Sequence, residues 1–414
     1  MRDELSPEAR RALRARHDRR RKVYRRRRLV ALGVVVAIAA GISATVATLA
    51  GGSSDPNTAG TDAVAKMKRP AKPKETQRPK EIRGVHVTMS LLGDQGALER
   101  YLALRRRGLN TIEVDLKDES GEVGFVNPEV RLASNIGAAH PYYDPYEVAR
   151  EAHAKHIYVI GRVVVFEDPI LSEAHPSYAI KNPDGSVWKN DIGLGWTNMY
   201  DKRVWQYVVD IGKAAARAGF DEIQFDYVRF PSDGDVSIIE YPGKVSEKKG
   251  VTIGRFVQYA ARKLHPLGVR VGADLFGLAA NHNLGIGQVP RKIGRYVDTI
   301  SPMAYPSHYG PGEYDIPDPN ADPGTIVFRT LKDFRRALRG RKAILVPWLQ
   351  DFSLGKDYTF EDVADQVDAA RRAQAGGFLL WNPEGLYTAK ALRPEPKPVY
   401  GASLSRTQTV PSSR

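Results

Sequence analysis

Residues 220–231 read Phe220-Asp221-Glu222-Ile223-Gln224-Phe225-Asp226-Tyr227-Val228-Arg229-Phe230-Pro231. Ile223, Phe225, Tyr227 and Val228 make a short run of aromatic and branched residues, and Pro231 stops it. Arg217-Ala218-Gly219 ends a helical segment on a glycine just before the run, which is the helix-to-strand step of an α/β unit. A strand of this composition is buried, and a carboxylate at its far end needs partners. Asp226 therefore has two readings. In one it forms a structural ion pair with Arg229, three residues on; in the other it is a functional acid held ionised by that cation. The second applies if the strand belongs to a (β/α)₈ barrel, where the C-terminal strand ends carry the site.

Outward from this stretch, strand-like and helix-like segments alternate. Strands are expected over 84–89, 111–116, 158–166, 222–228, 269–276, 299–304, 343–349 and 377–381. Helices are expected over 95–107, 145–155, 202–218, 252–264, 325–339 and 359–375, with a weaker one near 290–296. Eight strands separated by helices is the count of a closed parallel (β/α)₈ TIM barrel, with a doubly wound open sheet as the alternative. No strand–GxGxxG–helix phosphate loop occurs, which counts against a nucleotide fold, and no GxSxG nucleophile elbow is present.

The 414 residues carry a net charge of +14, but the excess is concentrated at one end. Residues 1–28 hold 13 lysines and arginines against 4 acids, and residues 29–83 hold 8 against 4. Residues 84–414 are left at +1, so a polyanion-binding surface is not implied and no nucleic-acid partner is expected. Residues 29–50 are an uncharged run of 22, close to the ~20 needed to cross a bilayer. The basic block before the run marks the cytoplasmic side. The expected organisation is a basic cytoplasmic head (1–28), a transmembrane helix or signal anchor (29–50), a disordered linker (51–81), the barrel (82–392) and a disordered tail (393–414). The barrel would then lie outside a cell membrane crossed once. The rival is secretion after cleavage at Thr48-Leu49-Ala50. There are no cysteines, hence no disulfide framework and no thiolate metal site.

The C-terminal strand ends bring His86, Asp115, Arg162, Asp226, Arg229, Asp274, Tyr305, Trp348, Trp381 and Glu384 into one list. Carboxylates among aromatic rings suit a neutral polyhydroxylated ligand, so a polysaccharide or oligosaccharide is the expected substrate. Glycoside hydrolysis needs one protonated and one ionised carboxyl, and Asp226 and Asp274 fall on neighbouring strands. The alternative for Asp274 is a buried acid tied to backbone amides or to Arg162, and for Asp115 a partnership with Lys117. The histidines form no HExxH-like cluster, so no metal or other cofactor is expected; His153 and His156 read as solvated or capping.

Four motifs together carry a resemblance. They are Asp115-Leu116-Lys117-Asp118-Glu119-Ser120-Gly121, Phe225-Asp226-Tyr227-Val228-Arg229-Phe230-Pro231, Asp274-Leu275-Phe276-Gly277 and Ser301-Pro302-Met303-Ala304-Tyr305-Pro306-Ser307-His308-Tyr309. Over roughly residues 82–392 the chain resembles the glycoside hydrolase family of the DUF4015 type. The resemblance implies a TIM-barrel glycosidase-like domain, often exported and membrane-anchored. The chain also resembles barrels with a nucleophile on strand 4, where the acid/base on strand 5 is usually Glu; here that position is Asp274, leaving Glu384 or Asp351 as substitutes. The expected enzyme is a membrane-tethered glycoside hydrolase with Asp226 as nucleophile and Asp274 as general acid/base, Arg229, Tyr305 and Asp115 supporting. Because adjacent strands lie only about 4.8 Å apart, retention of configuration is favoured. The runner-up is a catalytically silent carbohydrate-binding barrel; a metal-dependent deacetylase is a third reading.

Overall fold

The computed structural model describes residues 77–243 and 246–394. The basic head, the apolar run and the tail lie outside the described residues, among which no helix is long and apolar enough to cross a membrane.

The strands are β1 (Ile82–Val87), β2 (Thr111–Lys117), β3 (Tyr158–Val164), β4 (Glu222–Asp226), β5 (Arg270–Phe276), β6 (Thr299–Met303), β7 (Ile344–Leu345), β8 (Trp348–Gln350) and β9 (Gly377–Trp381). All pairings are parallel, and β1–β9 together with β5–β6 close the sheet. β7 and β8 are two pieces of one expected strand, broken next to Pro347, which has no N–H to give the ladder. The result is an eight-stranded closed parallel barrel. Closure requires a glycine: at Gly377 (φ +136°) a Cβ would stand 2.1 Å from the Ile82 carbonyl oxygen across the β1–β9 seam.

β2, β3 and β4 are buried along their whole length, because helices cover one face and the barrel interior the other. Asp201 caps the Lys202–Ala218 helix and Gly219 (φ +112°) ends it, as the glycine before β4 suggests. Its Trp205 and the Phe256 ring of the Lys249–Leu264 helix pack edge to face 5.6 Å apart, and Phe225 of β4 meets Phe256 at 5.3 Å. Thr359 and Asp362 form a reciprocal capping box at the Phe360–Arg372 helix. The expected 95–107 helix is shorter: Ala97–Ala103, then a 3₁₀ turn over Leu104–Arg107. His153 is buried rather than solvated, its Nε2 2.9 Å from Asp221 Oδ2, tying the Pro145–Ala154 helix to the strand β4 entrance.

Two features were not legible in the alternation. Between β3 and its helix an excursion pairs Glu167 with Trp196, Ala179 with Thr197 and Lys181 with Glu240. The barrel interior is polar as well: Glu113, Glu222, Gln224 and Ser301 are all fully buried, with Tyr158 donating to Glu222 Oε2 at 3.0 Å.

Candidate active site

β4 stops at Asp226 because Tyr227 turns into the left-handed region (φ +49°). A non-glycine residue held there costs on the order of 1–3 kcal/mol and is characteristic of functional sites. The turn gives the Tyr227 N–H to Asp226 Oδ1 at 2.7 Å. It also carries Arg229 away from the acid. The Arg229 guanidinium stands 4.8–4.9 Å from the rings of Trp196, Tyr227 and Phe276, and its Nη1 donates to the Phe230 carbonyl and Ser232 Oγ. The expected Asp226–Arg229 pair is therefore corrected: Arg162 of β3 serves Asp226, donating from Nε (3.1 Å) and Nη2 (2.8 Å) to Oδ2.

Arg162 joins two carboxylates. Its Nη1 donates to Asp115 Oδ1 at 2.7 Å, so Asp115 does not depend on Lys117. Lys117 is instead fully buried behind the site, 3.1 Å from Asp168 Oδ2 and donating to the Val164 carbonyl at 3.1 Å. Beyond Asp115 lies His86 of β1, with Nε2 3.2 Å from Asp115 Oδ2 and Nδ1 2.8 Å from Glu113 Oε2. Burial alone would push the His86 pKa down, but Asp115 and Glu113, by charge and hydrogen bond, raise it to about 9. His86 is therefore an imidazolium at neutral pH. Burial works against the Asp115 carboxylate too, yet His86 and Arg162 together hold it below its ordinary range.

Asp274 is built differently. It is fully buried, and its Oδ1 accepts from Gln224 Nε2 (2.6 Å) and Trp348 Nε1 (2.8 Å), neither backbone amides nor Arg162. Oδ2 has no hydrogen-bond partner among the described atoms. Burial, and after it the negative charges of Asp226 and Glu113, raise its pKa well above the ordinary carboxylate value, which favours the protonated form. An arginine-bound carboxylate thus adjoins, on the next strand, an acid whose neutral form is favoured.

Aromatic rings pack around this cluster, Trp348 within the buried interior. Trp381 stacks obliquely on His86 with centroids 4.6 Å apart, and Trp348 meets Trp381 edge to face at 6.1 Å. Tyr305 feels the charges of both Asp226 and Asp274, and burial with those charges raises its hydroxyl pKa well above the usual value. The two substitute acids are not brought into this cluster's hydrogen bonding. Asp351 clamps Thr388, accepting from its N–H and Oγ1 at 2.7 Å each, and burial raises it to about 6. Glu384 sits in an exposed turn after β9, its N–H bonded to Asn382 Oδ1. Glu113, Gln224 and Glu119 were missed, the last 3.4 Å from Arg162 Nη2. Alternation along a strand identifies two of them, since Glu113 and Asp115, and likewise Gln224 and Asp226, are two apart and share a face. Among the described residues no group of three or more His, Cys, Asp or Glu is arranged to hold a metal ion.

A family model described as "DUF4015: Putative glycosyl hydrolase domain" matches residues 84–387. The chain belongs to this family. Within the glycosyl hydrolase domain so defined lie His86, Asp115, Arg162, Asp226, Asp274 and Trp381. Among solved structures, the glycoside hydrolase domain of PgaB (BpsB) from Bordetella bronchiseptica is 13% identical, covers 73% of this chain and 94% of that one, and has a TM-score of 0.53. At that identity the likeness concerns the barrel fold. A hypothetical protein from Ruminiclostridium thermocellum ATCC 27405 is 35% identical, covering 46% of this chain and 96% of that one, with a TM-score of 0.42. No curated protein matches the chain.

Proposed function

We propose that the glycosyl hydrolase domain cleaves a cell-envelope or extracellular polysaccharide, with Asp226 as nucleophile and Asp274 as general acid/base. The observation that carries this reading is the asymmetry of the pair: Asp226 is bound twice by Arg162, while Asp274 is held neutral by burial and by Asp226 itself. Asp226 attacks the anomeric carbon, and the Asp274 proton passes to the leaving oxygen. Neighbouring strands favour the short separation of a retaining enzyme. Trp348, Trp381 and Tyr305 supply stacking faces, and His86, Asp115 and Arg162 keep the acids in place. Glu384 lies further out, where it serves a distal sugar. The chain is tethered to the cell membrane through residues 29–50, with the barrel outside.

Purified cell-wall and exopolysaccharide fractions incubated with the full chain and with Asp226→Asn test the assignment. Turnover should be lost while glycan binding survives; unchanged turnover sinks the nucleophile. One observation favours a second reading, the silent carbohydrate-binding barrel: Asp274 has no exposed surface and two side chains already grip it. Glycan binding without product release by the wild-type chain on every fraction would select that reading.

A further inference from the structure

The four long helices, Lys202–Ala218, Lys249–Leu264, Pro323–Ala337 and Phe360–Arg372, all carry cations in their last turns. Each favours them there because a helix C-terminus bears partial negative charge. In a parallel barrel every such terminus falls at one end, opposite the mouth. The near-neutral sum over residues 84–414 thus includes cations gathered at the helix C-termini.

A groove of about 560 Å³ runs toward that end between the Pro323–Ala337 and Phe360–Arg372 helices, from Phe328 in mid-helix to Arg339 past the helix end. Lys332, Arg335, Arg336, Arg339 and Arg372 line it, with Phe328 as its aromatic floor and no carboxylate in the lining. Lys332 and Arg372 stand over the Phe328 ring at 5.6 and 5.2 Å. Arg335 donates to the Ala373 carbonyl at 2.7 Å, and Arg336 lies 3.1 Å from Asp333. Arginine forks match phosphate oxygens, and an aromatic ring among cations suits a lipid interface.

The chain itself indicates which anion faces this groove. Arg371, adjacent to Arg372, holds Glu81 Oε1 at 2.7 Å and the Arg393 carbonyl at 2.6 Å. The polypeptide thus enters and leaves the barrel beside the groove. Residues 77–81 lead into β1 at this end, so the segment that carries the uncharged run at 29–50 joins the barrel from the groove side.

We propose that the base of the barrel docks on an anionic phospholipid surface through this groove, so that the mouth faces away from the bilayer. The inference rests on the membrane tether proposed above. The absence of native cysteines allows a direct test on the full chain. One fluorophore is placed at Lys332→Cys in the groove, another at Asp357→Cys in the loop after β8. Each chain is mixed with vesicles of phosphatidylcholine alone, or of equal parts phosphatidylcholine and phosphatidylglycerol, carrying a nitroxide headgroup lipid as quencher. Quenching at position 332 should appear only with phosphatidylglycerol and fade in high salt, while the label at 357 stays bright. Arg335→Glu, Arg339→Glu and Arg372→Glu combined should weaken docking by roughly a hundredfold or more, at about fivefold for each cation lost, with the melting temperature as control for folding.

Equal quenching at both positions, or quenching that survives the triple reversal, overturns the proposal. So does a response of the 332 label to soluble polyphosphate but not to phosphatidylglycerol, which assigns the groove to a polymer. Flotation with phosphatidylcholine vesicles reads the tether separately: flotation without phosphatidylglycerol-dependent quenching removes the docking and keeps the tether. Quenching without flotation does the reverse.

Discussion

The two ends of the barrel use charge in opposite ways. At the mouth, Glu113, Asp115, Asp226 and Asp274 are almost entirely out of water; Arg162 and His86 pair the first three in one connected network, and Gln224 and Trp348 hold the fourth. At the base, Arg335, Arg336, Arg339 and Arg372 are exposed, and the groove they line holds no acid. A buried charge is costly unless it is paired, so each mouth residue depends on its neighbours. A solvated surface charge contributes little to stability and acts mainly through long-range attraction. Like-for-like substitutions at the two ends should therefore have very different consequences.

The largest effect belongs to the acids themselves. Asp226→Asn should lower turnover on the responsive glycan by at least about 1,000-fold, and Asp274→Asn by about 100- to 10,000-fold, with binding retained in both. Steady-state kinetics and isothermal calorimetry on the same fraction check this. If Asp274→Asn leaves kcat unchanged, the protonated acid is structural and the mouth contains one working carboxylate.

Next comes the cation that joins two strands of acids. Arg162→Met leaves Asp115 and Asp226 buried without their shared partner and should destabilise the fold by roughly 3–5 kcal/mol in urea unfolding. Arg339→Met, the corresponding truncation at the base, should stay within about 0.5 kcal/mol. Equal losses would show that the groove cations also support the fold.

His86 provides a pH signature for the mouth. Its folded pKa, about 9, lies above the ordinary 6.5. Its contribution to stability is therefore complete below about pH 6.5 and is lost as pH rises through about 9. The difference amounts to on the order of 3 kcal/mol. Unfolding free energies measured from pH 6 to 10 should show this decline, and His86→Gln should flatten it. A decline of the same size in the variant would assign the titration to another group.

The smallest effect expected is that of ionic strength on activity. The Asp226–Arg162 contacts are buried, so hydrolysis of a soluble oligosaccharide should change less than about twofold between low and high salt, while the proposed docking fades. A steep salt dependence of kcat/KM on a neutral substrate would mean that long-range charge acts at the mouth as well.

How much of this the sequence determined depends on whether the cause is local. Hydrophobic runs, Gly219 after one helix and Thr359 before another act within a few residues, and the alternation they produce was sufficient to count eight strands and to place Asp226 and Asp274 at adjacent strand ends. The split of the seventh strand at Pro347 is local too, and could have been read from the missing N–H. The partner of Asp226 was not local. Arg229 is nearest along the chain, but one left-handed residue, Tyr227, turns it aside, and β3–β4 pairing brings in Arg162 from 64 residues away. The raised pKa of Asp274 likewise depends on burial, with Gln224 brought to it by β4–β5 pairing and Trp348 from across the barrel. Net charge says nothing of placement for the same reason. A sum over residues has no direction, whereas eight parallel strands send the mouth acids one way and the helix-end cations the other.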